Sequence, residues 1–525
     1  MLNCFVNLDE SVRRHPDVVA LVSGDNQLTY TQLRCMVNQC ANGLKQRGIK
    51  QGDRIVLACP NCIAFPVLYY AILKVGAVVV PINILSVESE IVYYLEQTEA
   101  KMLISFQNAD QLPLGDYGYQ AYQRVDSCSN YILIRDPSNP IMPAEDVDTF
   151  AGLIHEQSVL CDVAITQADD IAVIIFTSGT TGKPKGAQLT HQNIFTCSLV
   201  FKDMASITHK DNQLVVLPLF HCYGQMVQMN AGLLAGSTLH LMPRFVPELA
   251  MQIMHDHEIT IFCGVPTMYW AMLHKVDLSQ YDIAKVTKHF RLGIAGGTAM
   301  PVELLKAFEK TFGVEILEGY GLSESCACAT FNRLDNVRKV GSIGVANWGI
   351  RIRIVDQQMQ DVAPGETGEM IMQGHSTMKG YYNMPEATAA VYEGGWLHTG
   401  DLAKCDEAGY YYIVDRLTDM IIRGGYNVYP REIEEVLMQH ADVSLTAVIG
   451  IPDMQYGEEV AAYIVLKEGA KIKSEALMAW AKERMSSYKY PRVIKIVEGL
   501  PMNATGKILK SQLRKQAVES VGINT

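Results

Sequence analysis

The segment that most restricts this chain is an unbroken apolar run, Ile171 to Phe176, that feeds directly into a loop reading TSGTTGKPKG, Thr177 to Gly186. A short run of this composition predicts a strand buried on both faces, as in parallel sheets covered by helices. The loop therefore begins at a strand end. Gly179, Gly182 and Gly186 permit close backbone approach. Thr177, Ser178, Thr180 and Thr181 offer hydroxyl donors, and Lys183 and Lys185 offer positive charge. Such a set suits a polyphosphate. It is not a Walker A loop, because Pro184 follows Lys183 where that motif needs Ser or Thr.

At 525 residues the chain is too long for one hydrophobic core and should divide. From residue 1 to about 170, strand-like runs such as Arg54 to Ala58 and Ala77 to Val80 alternate with helix-like stretches, the pattern of a layered α/β subdomain. A second such subdomain spans about 171–341, with strands expected at Leu214 to Leu217, Thr238 to Leu241, Ile259 to Cys263 and Val314 to Leu317. Residues 342–415 change to short alternating segments, such as IRIRIV at Ile350 to Val355, and predict a small β-rich, barrel-like subdomain. Together these make a large N-terminal domain, 1–415. Residues 416–525, where Pro430 opens the helix EIEEVL, predict a small α+β C-terminal domain.

Composition removes several classes. A net charge of -12 argues against general nucleic-acid binding, which depends on clustered Lys and Arg. The opening MLNCFVNLDESVRR lacks the basic start and apolar run of a secretory signal, so the cytoplasm is the expected location. The apolar region from Ile55 to Leu85 is broken by Pro60, Asn61, Pro66, Lys74 and Pro81, and reads as a buried strand, helix and strand, not a membrane span. Thirteen cysteines in such a chain are expected to be reduced. The pair Cys59 and Cys62 lacks the further ligands a zinc site would need. Between Lys471 and the end of the chain, eleven Lys or Arg face four Glu and no Asp, a basic lobe that could meet a phosphate-rich ligand.

TSGTTGKPKG closely resembles the signature of the adenylate-forming superfamily, which includes acyl-CoA synthetases, peptide-synthetase adenylation domains and firefly luciferase. Other family motifs follow in order: AGGTAM at Ala295 to Met300, GYGLSES at Gly319 to Ser325, WLHTGD ending at Asp401, DRLTDMIIRGGYNVYP at Asp415 to Pro430, and PMNATGK ending at Lys507. The resemblance implies ATP and Mg²⁺, with the small domain mobile between two half-reactions. Lys507 would span the carboxylate and α-phosphate during adenylation, and Glu324, with Thr177, would hold Mg²⁺. Tyr320 would face adenine, beside Gly297, Thr298, Glu318, Gly319 and Gly321. Ser323 would donate to phosphate. Asp401 would accept from the ribose hydroxyls, with Arg416 and Ile413 as further nucleotide contacts. Gly424 and Gly425 would enter the site in the second state, making room for a pantetheine arm. Thr418 stands where family members commonly carry Asp or Lys as a pivot.

The segment Leu217 to Phe245 should line the acyl side by family position. It is apolar and Met-rich, suits a flexible aliphatic wall, and makes the chain most like bacterial medium- or long-chain fatty acyl-CoA ligases. His221 resembles the family's aromatic gate. No Asp occurs between Asn212 and His255 to hold the ammonium of an amino acid, whereas an aryl acid stays open. The resemblance implies coenzyme A as thiol acceptor, with an acyl-carrier protein and its phosphopantetheine arm as the alternative. A non-catalytic nucleotide-binding relative would be expected to show damage at Lys507, Glu324 or Asp401, and all three are present.

Overall fold

The computed structural model describes residues 2–108, 112–136, 142, 147–177 and 183–521, the side chains of 518–521 apart. Its class is the expected α/β, a large N-terminal portion with a small C-terminal one.

Among the described residues, one sheet has seven strands. Asp148–Thr149, Asn130–Ile134, Met102–Phe106, Arg54–Ala58, Val78–Pro81 and Ile171–Thr177 run parallel, and Lys185–Thr190 closes the edge antiparallel. The apolar region after Ile55 folds as read: strand, helix Ala64–Lys74, strand. Every residue of that helix is buried, which is why its sequence shows no polar face.

The second sheet has nine strands and carries Ile316–Tyr320 towards one edge and the hairpin Val19–Ser23 with Asn26–Thr29 at the other. The two sheets therefore do not divide at residue 170, as the order of segments suggested. The hairpin near the start joins the second sheet through Thr238–Leu241, and Ile171–Thr177 joins the first by pairing Val173 with Val79. Hydrogen-bonding edges, not sequence order, decide sheet membership, and each of these strands adds to an open edge of the other half.

A five-stranded antiparallel sheet follows, in which Trp396–Cys405 pairs with both Gly368–Gly374 and Tyr411–Arg416. The last sheet centres on Val443–Asp453 and Gly457–Leu466, covered by helices Pro430–Leu437, Ser474–Lys482 and Lys510–Val521.

One side chain ties the two large sheets together beside the site. Asn61, 2% exposed and just past the strand Arg54–Ala58, donates to the carbonyls of Val215 (3.2 Å) and Leu217 (2.9 Å) and accepts from the Leu219 amide (2.8 Å). It thus satisfies the backbone where the chain leaves the second sheet and turns towards His221. From there Tyr223–Asn230 forms a π-helix, a geometry uncommon enough to mark a functional segment. Replacing Asn61 with Ala takes this partner from the Leu217 carbonyl and the Leu219 amide, while the Val215 carbonyl keeps the Met242 amide. Denaturant unfolding should show a loss of about 2–4 kcal/mol.

Candidate active site

Three residues widely spaced in sequence meet at the end of the second sheet. Tyr320 is the last residue of its strand, and the chain turns back at Gly321, where a β-carbon would lie 2.3 Å from the Ala327 backbone. Asp401 and Arg416 are directly paired across two antiparallel strands. The Tyr320 hydroxyl donates to Asp401 Oδ2 at 2.5 Å, and Arg416 Nε meets Oδ1 at 3.1 Å. The buried Asp401 carboxylate thus has a donor on each oxygen and lone pairs left for a diol. Next to this group, burial raises the Glu318 carboxyl to about 7, against the pull of Arg431, while Gly341 donates to it at 3.1 Å.

A second cluster forms where the strand Ile171–Thr177 ends. The Thr177 hydroxyl lies 3.3 Å from Glu324 Oε1, and the Tyr381 hydroxyl donates to the same oxygen at 2.9 Å. Lys185 sits 5.4 Å over the ring of Tyr381, and Lys183 sits 6.0 Å over that of Tyr93. Thr177, the first residue of the expected phosphate loop, thus lies beside Glu324. Ser178, Gly179, Thr180, Thr181 and Gly182 lie outside the described residues.

Lys507 reaches the site from the far end of the chain on a turn. Asn503 Oδ1 accepts from the Lys507 amide at 2.9 Å, and Gly506 takes a φ of +80°, open to glycine at little cost. The Gly506 carbonyl accepts from the Thr267 hydroxyl at 2.8 Å, and a β-carbon there would lie 2.9 Å from Val265. A second tie between the same parts runs from Trp270 Nε1 to Ser444 Oγ at 2.9 Å. Burial first and the charge of Arg416 second lower the Lys507 ammonium to about 8, with Asp401 and Asp419 opposing. His221 is lowered to about 4, by burial and then by Lys507, so it is neutral at pH 7. Its Nδ1 accepts from the Tyr223 amide at 3.2 Å, which leaves Nε2 to carry the proton.

His221 stands at a cavity lined also by Gly297, Gly319, Tyr320 and Gly321. Its apolar lining includes Phe201, Cys222, Tyr223, Val227, Cys328 and Phe331. The expected methionine wall is not there. Met226, Met229 and Met242 lie in the core at 1%, 0% and 1% exposure, while Tyr223 and Val227 of the π-helix line the cavity.

Not every expected residue converges. Gly424 and Gly425 sit exposed at the tip of the hairpin formed by Ile421–Arg423 and Tyr426–Val428. The Ser323 hydroxyl meets Cys222 Sγ at 3.4 Å. Ile413 offers its carbonyl to Arg431, and Thr298 follows Gly297 at the cavity edge. Cys59 and Cys62 are free, with sulfurs 3.6 Å apart. Sequence reasoning missed Tyr381 and Thr267. Tyr381 is 57 residues from the carboxylate it binds, and no spacing rule links a hydroxyl to a turn 239 residues away.

Comparison with known proteins agrees with this arrangement. The model of the AMP-binding enzyme family matches residues 8–382, and that of the AMP-binding enzyme C-terminal domain matches 432–507. The chain belongs to the AMP-binding enzyme family. This AMP-binding enzyme is 35% identical to a long-chain-fatty-acid–CoA ligase of Bacillus subtilis, over 98% of this chain and 94% of that protein. It is 34% identical to a feruloyl-CoA synthase of an Amycolatopsis species, over 96% and 97%. Among solved structures, ATP-bound MatB from Rhodopseudomonas palustris superposes with a TM-score of 0.89 at 28% identity, covering 99% of this chain and all of that one. The expected class, an AMP-forming acid–CoA ligase, stands.

The AMP-binding enzyme should show a pH signature of Lys507. Its charge is present below about 8 and lost above it, so if Lys507 serves adenylation, as the resemblance implies, kcat/KM for that step should fall as pH rises through 8. The Lys507→Arg variant, whose guanidinium stays charged, should shift that fall upward in a pH profile of pyrophosphate exchange.

Proposed function

We propose that the protein activates a carboxylic acid with an apolar body and passes it to coenzyme A. In the first step a carboxylate oxygen bonds to the α-phosphorus of ATP as the bond to pyrophosphate breaks. In the second, the thiol sulfur bonds to the acyl carbon, the bond to AMP breaks, and the thiol proton is released. Both reactants of the first step are anionic, so a cation between them stabilises the transition state. The electrostatic coupling of Lys507 to Arg416, Asp401 and His221 carries this reading. Neutral His221 adds no charge of its own. In this assignment Asp401 and Arg416 hold the ribose, and Tyr320 with Gly297 holds the base.

The oxygens of Glu324 and Thr177 form a hard donor set that fits Mg²⁺. When bound, the ion would neutralise charge on the triphosphate. Lys183 and Lys185, with the loop they flank, would meet the outer phosphates.

Residues 1–415 would form the large body and 416–525 a mobile one, which brings Lys507 in for the first step and the exposed Gly424–Gly425 hairpin in for the second. No described helix is long and apolar enough to cross a membrane, and a cytoplasmic location suits an enzyme that uses ATP and coenzyme A. An acyl-carrier protein is the alternative acceptor.

For the acid, the Bacillus ligase named for long-chain fatty acids supports a medium- or long-chain fatty acid. The rings of Phe201, Tyr223 and Phe331 in the cavity lining favour a second reading, an aryl acid. The test is acid-dependent exchange of labelled pyrophosphate into ATP across fatty and aryl acids, then thioester formation with coenzyme A or a carrier protein. Lys507→Ala should reduce exchange at least about 100-fold while thiol attack on supplied acyl-adenylate stays within a few-fold. Equal loss of both half-reactions would refute the role, and no exchange with any acid would refute the activity.

A further inference from the structure

Two polar side chains interrupt the apolar lining of the cavity. Thr330 and Asn347 are 2% and 4% exposed, and both line it with Phe201, Tyr223, Val227 and Phe331. Thr330 lies on the strand Thr330–Phe331, paired with Tyr320 on one side and Ala346 on the other. Asn347 follows Ala346, and its amide donates to the Ala329 carbonyl at 2.9 Å.

Neither side chain is fully satisfied by the protein. Asn347 Nδ2 meets Cys328 Sγ at 3.0 Å, while Asn347 Oδ1 and Thr330 Oγ1 are buried with no hydrogen-bond partner among the described residues. If the amide is turned over, its nitrogen becomes the unpartnered atom, so one amide atom of this cavity-lining residue lacks a partner either way. Buried polar atoms of this kind are uncommon, and each calls for a ligand or a solvent partner. An acid that is apolar throughout would leave both unpaired, whereas a polar group on its body could pair them.

Resting on the proposed acid activation, the geometry points to a substrate whose apolar body carries a second polar group, a hydroxyl or carbonyl, that hydrogen-bonds to Thr330 and Asn347. These two residues then set specificity, and the carboxylate stays at the His221 and Lys507 end. A threonine hydroxyl can donate or accept, and the amide presents one further polar atom, so a substrate hydroxyl can satisfy both at once.

The test compares kcat/KM for coenzyme A thioester formation within matched pairs: para-hydroxycinnamic against cinnamic acid, and ω-hydroxydecanoic against decanoic acid. The native enzyme should favour the hydroxylated member of at least one pair by about tenfold or more. In Thr330→Val with Asn347→Leu that ratio should fall to near one, with the KM for ATP reporting an intact nucleotide site. The comparison on the native enzyme does not depend on whether the variants fold. Equal rates within both pairs, preference for the plain acids, or a ratio that the variants leave unchanged would overturn the assignment. Acid-dependent exchange with those outcomes would leave the ligase reading standing, whereas no exchange with any acid would remove both.

Discussion

Much of the site depends on one hydrogen bond, from the Thr267 hydroxyl to the Gly506 carbonyl. It docks a turn of the small domain on the helix Pro266–His274 of the large one and so fixes where the neighbouring Lys507 ends. The turn is held on its own side by Asn503, whose carboxamide oxygen accepts from the amides of Thr505 and Lys507. A lysine delivered on a preformed turn gives up less freedom at the moment of reaction than one on a loose tail.

Electrostatics then favours an incoming anion. Burial, and after it the charge of Arg416, lower the lysine to about 8, and Asp401 and Asp419 only partly offset this. His221, whose pKa Lys507 also lowers, is kept neutral chiefly by burial. An anion placed among these groups relieves the repulsion, so binding and charge stabilisation draw on the same arrangement. Asp401, held by Tyr320 and Arg416, links the strand Ile316–Tyr320 to the strand Tyr411–Arg416.

Much of this was legible in the sequence because it is carried by local pattern. The apolar run at Ile171 to Phe176 is a strand, and its loop begins at Thr177 beside Glu324. IRIRIV at Ile350 to Val355 is a strand along its whole length, and Pro430 opens a helix. What failed to show was non-local. Sheet membership crossed residue 170 because edge pairing ignores chain order. The methionine wall failed because hydrophobicity marks burial without saying which face a residue takes. Thr267, Tyr381, Thr330 and Asn347 carry no motif, and only the fold brings them to the site.

In the proposed mechanism, docking of the Gly506 turn serves the first half-reaction alone. Gly506→Ala tests it most directly, since the new β-carbon would fall 2.9 Å from Val265 Cγ2 at a φ of +80° while Lys507 itself is retained. Measured separately, pyrophosphate exchange should fall by about 100-fold, and thioester formation from supplied acyl-adenylate should stay within a few-fold of the native rate. Exchange at the native rate, or equal loss of both half-reactions, would contradict the account.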